Sequence, residues 1–143
     1  MIVDASLVID AVADSGPRGE AARAALASHP AAEPLMAPGH FAFEILSGLR
    51  AAARRPGHPL TEADVERALA DAEALEIEIE ATPWTDVRRA WTLSQASLRF
   101  ADAIYVAAAE RHTTGLLTAD RRIERSGAPM TCQTITTSPH SPG

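Results

Sequence analysis

Short apolar runs alternate with longer helical stretches along almost the whole chain, and this alternation limits the fold more than any other feature. Residues 2–4, 35–37, 75–81 and 115–118 read as strands, and 130–135 is a candidate fifth. Between them lie helical segments. Residues 17–28 open with Pro17, suited to a first helical turn, and are rich in alanine. Residues 39–55 end in Arg54-Arg55-Pro56-Gly57, a basic last turn followed by breakers. Thr61 opens a helix with Asp64 as its capping-box partner. A further helix over 83–98 carries Trp84, Val87, Trp91 and Leu98 on one face, and the last main helix runs over 102–112. Strands alternating with helices predict the α/β class: a mostly parallel central sheet of four to five strands, flanked by helices. In 75–81, Ile77 and Ile79 point one way and Glu76, Glu78 and Glu80 the other. A wholly acidic strand face belongs at a sheet edge, where it discourages pairing with other chains.

The 143 residues fit one domain, expected over 1–135, with a Ser-, Thr- and Pro-rich tail over 136–143 expected to be flexible. A hydrophobic content of 46% fits a packed core rather than a disordered or fibrous chain. Cys132 is the one cysteine, which rules out an internal disulfide and suits a reducing compartment. It lies in a β-like run and reads as a small core residue, not a nucleophile. No run approaches the length of a membrane span, and Met1-Ile2-Val3 lacks a basic leader, so a cytoplasmic protein is expected. All 13 basic residues are arginine and the net charge is −6. The missing lysine excludes a P-loop. No two of the five histidines stand four apart as a zinc pair would require.

Ligands of open α/β sheets gather beyond the carboxyl ends of the strands. Asp4 ends the first strand in Val3-Asp4-Ala5-Ser6, and Asp120 follows Leu116-Leu117-Thr118-Ala119. If these strands are neighbours, both carboxylates face one crevice; either aspartate could equally be a helix N-cap. Asp102 opens a helix whose remainder is almost all apolar, so a carboxylate there needs a cation or an arginine as partner. Glu44 interrupts the apolar run Phe41-Ala42-Phe43-Glu44-Ile45-Leu46, on a narrow polar stripe with His40, Ser47 and Gly48, where plain solvation is the alternative. Four carboxylates so placed describe an oxygen-ligand site suited to a hard divalent ion such as Mg²⁺.

Ile2-Val3-Asp4-Ala5-Ser6, Phe43-Glu44, Ala101-Asp102-Ala103-Ile104-Tyr105-Val106-Ala107 and Leu117-Thr118-Ala119-Asp120 resemble, in order and spacing, the motifs of PIN-domain nucleases. More narrowly they resemble the VapC-type toxins of toxin–antitoxin pairs. The resemblance runs from Met1 to about Ile135, and 102–109 is its most specific part. Where many relatives carry Ser or Thr before the third acidic residue, this chain has Arg99 and Phe100.

The resemblance implies a PIN-like fold, an RNA substrate, Mg²⁺ or Mn²⁺, a homodimer, and inhibition by a cognate antitoxin. On this reading Asp4, Glu44, Asp102 and Asp120 are the catalytic and metal-holding residues, and a metal-activated water attacks the scissile phosphate. Ser6 orients Asp4 or a metal water, with helix N-terminal polarity as the alternative. Arg99, Arg121 and Arg122 are candidates for RNA phosphate contacts, with surface ion pairs as the alternative. A phosphohydrolase using Asp4 as nucleophile would want an acid at position 6 and a lysine, and has neither. The other alternative is a catalytically silent PIN-like interaction module.

Overall fold

Ile2 and Val3 have no exposed surface, and the sheet is built outward from them. They form β1 (Ile2–Val3), followed by β2 (Met36–Pro38), β3 (Glu78–Glu80), β4 (Leu116–Thr118) and β5 (Thr134–Thr136). The structure, a computed structural model, describes residues 1–139. All strand pairs are parallel, in the order β3-β2-β1-β4-β5. From β1 the chain winds one way through β2 to β3, then returns to the far side of β1 for β4 and β5. The winding therefore reverses between β1 and β4, which opens a crevice beyond the carboxyl ends of those two strands.

Seven helices connect the strands: α1 (Ala5–Ala13), α2 (Pro17–Ser28), α3 (Phe41–Ala53), α4 (Glu62–Ala74), α5 (Trp84–Leu93), α6 (Phe100–Arg111) and α7 (Arg121–Arg125). Helix α1 packs on α2, α3 and α4, whereas α6 packs on α5 and on β1, β2 and β4. Ala103, Tyr105 and Val106–Ala109 of α6 are all buried, so this helix is core nearly all round. Gly48 brings α3 close to α1, since a Cβ there would lie 2.2 Å from Ile9 Cδ1. Glu44 stands one turn before Gly48 on α3.

Several expectations need correction. Helices α1 and α7 are not among the segments expected from the sequence. Val8, Ile9 and Val12 are β-branched, which leaves α1 weakly marked by propensity, and burial against three helices stabilises it instead. The run 75–81 shortens to β3, at the sheet edge as expected, because Glu76 turns the backbone to φ 52°. Its faces are not simply apolar in and acidic out. Ile79 is 52% exposed, while Glu80 pairs with Arg111 and with His112 at 2.9 Å. Trp84, Val87 and Trp91 point to solvent, and the buried face of α5 is Asp86, Ala90 and Leu93. Arg111 satisfies the buried Asp86 with its Nε 3.0 Å from each carboxylate oxygen.

Asp102 does not open its helix, because Arg99 is the N-cap and Asp102 sits inside the first turn of α6. The fifth strand forms over Thr134–Thr136 rather than 130–135, so the boundary expected at 135 falls inside β5. Thr137 N continues the ladder by donating to Thr118 O at 2.9 Å. The last four residues of the expected tail, 140–143, lie outside the described residues. Among the described residues, no helix is long and apolar enough to cross a membrane.

Candidate active site

The register of the two central strands assembles the first half of the site. Ile2 pairs with Leu116 and Val3 with Leu117, and Asp4 N donates to Leu117 O at 2.9 Å. Asp4 therefore stands abreast of Thr118. The fully buried Thr118 hydroxyl donates to Asp4 Oδ2 at 2.6 Å, and Ser6 Oγ donates to the same oxygen at 2.8 Å. Asp4 also caps α1, accepting from Ser6 N at 3.3 Å. The capping alternative is thus observed at this residue and leaves its other oxygen to the two hydroxyls. Burial raises the Asp4 pKa above the ordinary carboxylate value, and the nearby Asp102 charge pushes the same way against the lowering effect of the two hydroxyls.

Asp102 and Asp120 meet at arginines. Arg99 Nε donates to Asp102 Oδ2 at 3.0 Å, and one terminal nitrogen reaches Asp102 Oδ1 at 3.4 Å and Asp120 Oδ2 at 3.7 Å. Arg122 Nε lies 2.9 Å from Asp120 Oδ1 and 3.0 Å from Oδ2, and its terminal nitrogen lies 2.6 Å from Oδ2. Asp120 also caps α7 by accepting from Arg122 N at 2.9 Å. The Arg122 guanidinium is the main reason the Asp120 pKa lies below its ordinary value. Arg121 points elsewhere, donating to Ser138 Oγ.

Glu44 stands in the first turn of α3. His40 Nε2 lies 3.3 Å from Glu44 Oε1 and 3.1 Å from Ala101 O, linking α3 to the start of α6. The Tyr105 ring is 4.6 Å from the His40 ring. Burial raises the Tyr105 pKa most, and the charges of Glu44 and Asp4 add to it, so this phenol stays neutral. Its hydroxyl and Glu44 Oε1 are both buried without a hydrogen-bond partner.

The structure thus sets Asp4 and Ser6 at the end of β1, ties Asp102 to Asp120 through Arg99 with Arg122 on Asp120, leaves Glu44 beside His40 at the start of α3, and turns Arg121 toward Ser138. Sequence reasoning missed Thr118, His40 and Tyr105. A threonine in an apolar strand, one register step from Asp4, was the available signal for the first. Cys132 is half-buried and unpaired, and burial raises its thiol pKa, consistent with an inert packing residue.

Among the described residues, no three acidic, histidine or cysteine side chains stand in ready metal-ligand geometry. Arginines occupy Asp102 and Asp120, and hydroxyls hold Asp4. The donor set nevertheless fits a hard divalent cation. It is all carboxylate, and Glu44 Oε1 is a buried acceptor that makes no hydrogen bond, with His40 Nε2 3.3 Å away.

A model of the PIN domain family matches residues 1–128. Ribonuclease VapC3 of Mycobacterium tuberculosis is 34% identical over 126 residues, covering 88% of this chain and 86% of the relative. Among solved structures, a toxin–antitoxin complex from Klebsiella pneumoniae superposes with TM-score 0.66 at 18% identity, covering 99% of this chain and 98% of that one. VapC20 of Mycobacterium tuberculosis, described as a sarcin–ricin loop cleaving toxin, superposes with TM-score 0.64 at 20% identity, covering 89% and 95% of the two chains.

Proposed function

The chain belongs to the PIN-domain family, among the ribonucleases of VapC type, and on that premise we propose that it is a metal-dependent endoribonuclease serving as the toxin of a type II toxin–antitoxin pair. The observation that carries the reading is the bridging of Asp102 and Asp120 by Arg99 beside the ends of β1 and β4, where the sheet reverses its winding and Asp4 stands. Asp4, Asp102 and Asp120 would hold Mg²⁺ or Mn²⁺ directly or through water, with Glu44 completing the set. When bound, such a cation lowers the pKa of a coordinated water and neutralises charge on a phosphate.

The chain's own groups prepare the site. Thr118 and Ser6 fix the Asp4 carboxylate by two hydroxyl donors. His40 borders Glu44 and ties the start of α3 to α6. Arg99 and Arg122 are the cations nearest the acidic group and can take phosphate oxygens in bidentate fashion. Such local cations are needed, since a chain of net charge −6 attracts RNA poorly as a whole.

The homodimer belongs to this proposal and has its own support. Trp84, Trp91 and Phe100 are 75%, 63% and 62% exposed, and the last two rings stack at 6.2 Å. An apolar surface of this kind is usual where chains associate. A cognate antitoxin and action in the cytoplasm complete the reading; the antitoxin rests on the family and on the toxin–antitoxin complex similar in fold.

Asp4→Asn tests it. Asparagine caps a helix about as well as aspartate, and the Ser6 and Thr118 hydroxyls can each turn to accept from its amide. RNA cleavage by the purified protein with Mg²⁺ or Mn²⁺ should fall by orders of magnitude while the fold survives. Wild-type cleavage by this variant would overturn the mechanism. A folded wild-type protein that cuts no RNA with either ion would favour the silent interaction module.

A further inference from the structure

The four oxygens of Asp102 and Asp120 are all engaged by guanidinium groups of the same chain. Both carboxylates are nearly buried, at 6% and 12% side-chain exposure, whereas Arg99 and Arg122 are 60% and 69% exposed. The acids are fixed and the arginines are free to swing outward. Asp120 lies between the two guanidiniums, 3.7 Å from one terminal nitrogen of Arg99 and 2.6 Å from that of Arg122. A divalent cation needs those same oxygens. Its arrival removes the arginines' partners and places two further positive charges beside them.

We propose that Arg99 and Arg122 form a cation-released latch: without metal they neutralise Asp102 and Asp120, and metal binding frees both guanidiniums to take RNA phosphate. The inference rests on the ribonuclease reading and adds an order of events to it. Metal and arginine compete for the carboxylates, whereas metal and RNA cooperate through the arginines. The bare site is thereby kept compact and electrically quiet, because four unneutralised carboxylates in one crevice would repel one another.

The competition gives opposite signs for two ligands. In Arg99→Ala, Arg122→Ala and the double variant, Mn²⁺ binding measured by calorimetry should tighten. The dissociation constant should fall about fivefold for each arginine removed, the scale of an exposed ion pair. Binding of a fluorescent single-stranded RNA, measured by anisotropy with Ca²⁺ as the oxygen-seeking ion, should weaken in the same variants. Its salt dependence should become shallower by about 0.7 per arginine, one phosphate contact each. Arg99→Lys keeps the charge without the fork and should fall between wild type and Arg99→Ala on both measurements.

A merely structural arginine would lower both affinities when removed, and that result overturns the latch. So does Mn²⁺ affinity unchanged in the double variant while the wild type binds Mn²⁺. If neither the wild type nor any variant binds Mn²⁺, the metal-dependent ribonuclease reading fails and takes the latch with it, a pattern distinct from the other two.

Discussion

Removing the Thr118 hydroxyl is the sharpest test of how the site is held, because Thr118→Val changes one atom type at a position with no exposed surface. That hydroxyl donates to Asp4 Oδ2 at 2.6 Å and accepts from Asp120 N at 3.0 Å, so it touches both strand-end aspartates at once. A hydrogen bond to a charged group contributes about 1.5–3 kcal/mol, and an orphaned buried amide adds a penalty of similar scale. Ser6 still donates to Asp4, and the extra methyl gains some burial, which offsets part of the loss. The expected net destabilisation is about 2–3 kcal/mol. For 143 residues the unfolding entropy is about 0.3 kcal/mol/K, so the melting temperature should fall by about 7–10 °C. The carboxylate of Asp4 loses a donor that favours its charged form, so its pKa, already raised, rises further. The stability difference from wild type should therefore be greatest at neutral and higher pH and shrink as pH falls through the Asp4 pKa. RNA cleavage should fall with it. Thr118→Ser keeps the hydroxyl and loses only a methyl, so it should retain most activity while losing about 1 kcal/mol of stability. Scanning calorimetry from pH 4 to 8 with a cleavage assay on both variants decides the matter. A Thr118→Val protein that melts within a degree of wild type and cuts RNA normally would refute the positioning role.

Four other outcomes follow from the same contacts. Mn²⁺ or Mg²⁺ at millimolar concentration should raise the melting temperature over that in EDTA, since a cation bound to the folded protein offsets the repulsion between Asp4 and Asp102; no shift in differential scanning fluorimetry would count against the metal site. Arg111→Ala leaves Asp86 buried without its cation and should cost on the order of 3 kcal/mol in urea unfolding, whereas a loss near zero would mean water reaches Asp86. Trp91→Glu should convert the proposed dimer to monomer by light scattering, and a wild type already monomeric at micromolar concentration would remove the dimer from the reading. Glu110 has a lowered pKa, since Arg89 and Thr131 N outweigh its burial; its contribution is present above the ordinary carboxylate range and lost as pH falls through the folded value. The stability gap between wild type and Glu110→Gln should accordingly close in acid, and a gap independent of pH would show that the pairing contributes little.

The sequence by itself determined the class of fold and the acids that are candidates for the site. Strand-like runs alternating with helical ones require a parallel sheet, because each return to the sheet passes through a helix. An acidic strand face belongs at an edge, and β3 is there, although the positive φ at Glu76 shortens it and Ile79 faces water. Asp4 and Asp120 were legible as strand-end acids, and Glu44 as an acid out of place in an apolar helix. What local pattern could not provide was the partner of each group. Helix α1 owes its stability to burial against three other helices rather than to propensity, so it was invisible in isolation. Trp84, Val87 and Trp91 share a face by helical spacing alone, but only packing decides that this face points outward and that Asp86 points in. Thr118 reaches Asp4 across 114 residues through strand register, and Arg99 spans Asp102 and Asp120 because two helix starts meet at the reversal of the sheet. Residue identity and spacing carry charge, propensity and period along the chain, whereas register and packing join residues distant in it, and these long-range contacts exist only in the folded protein.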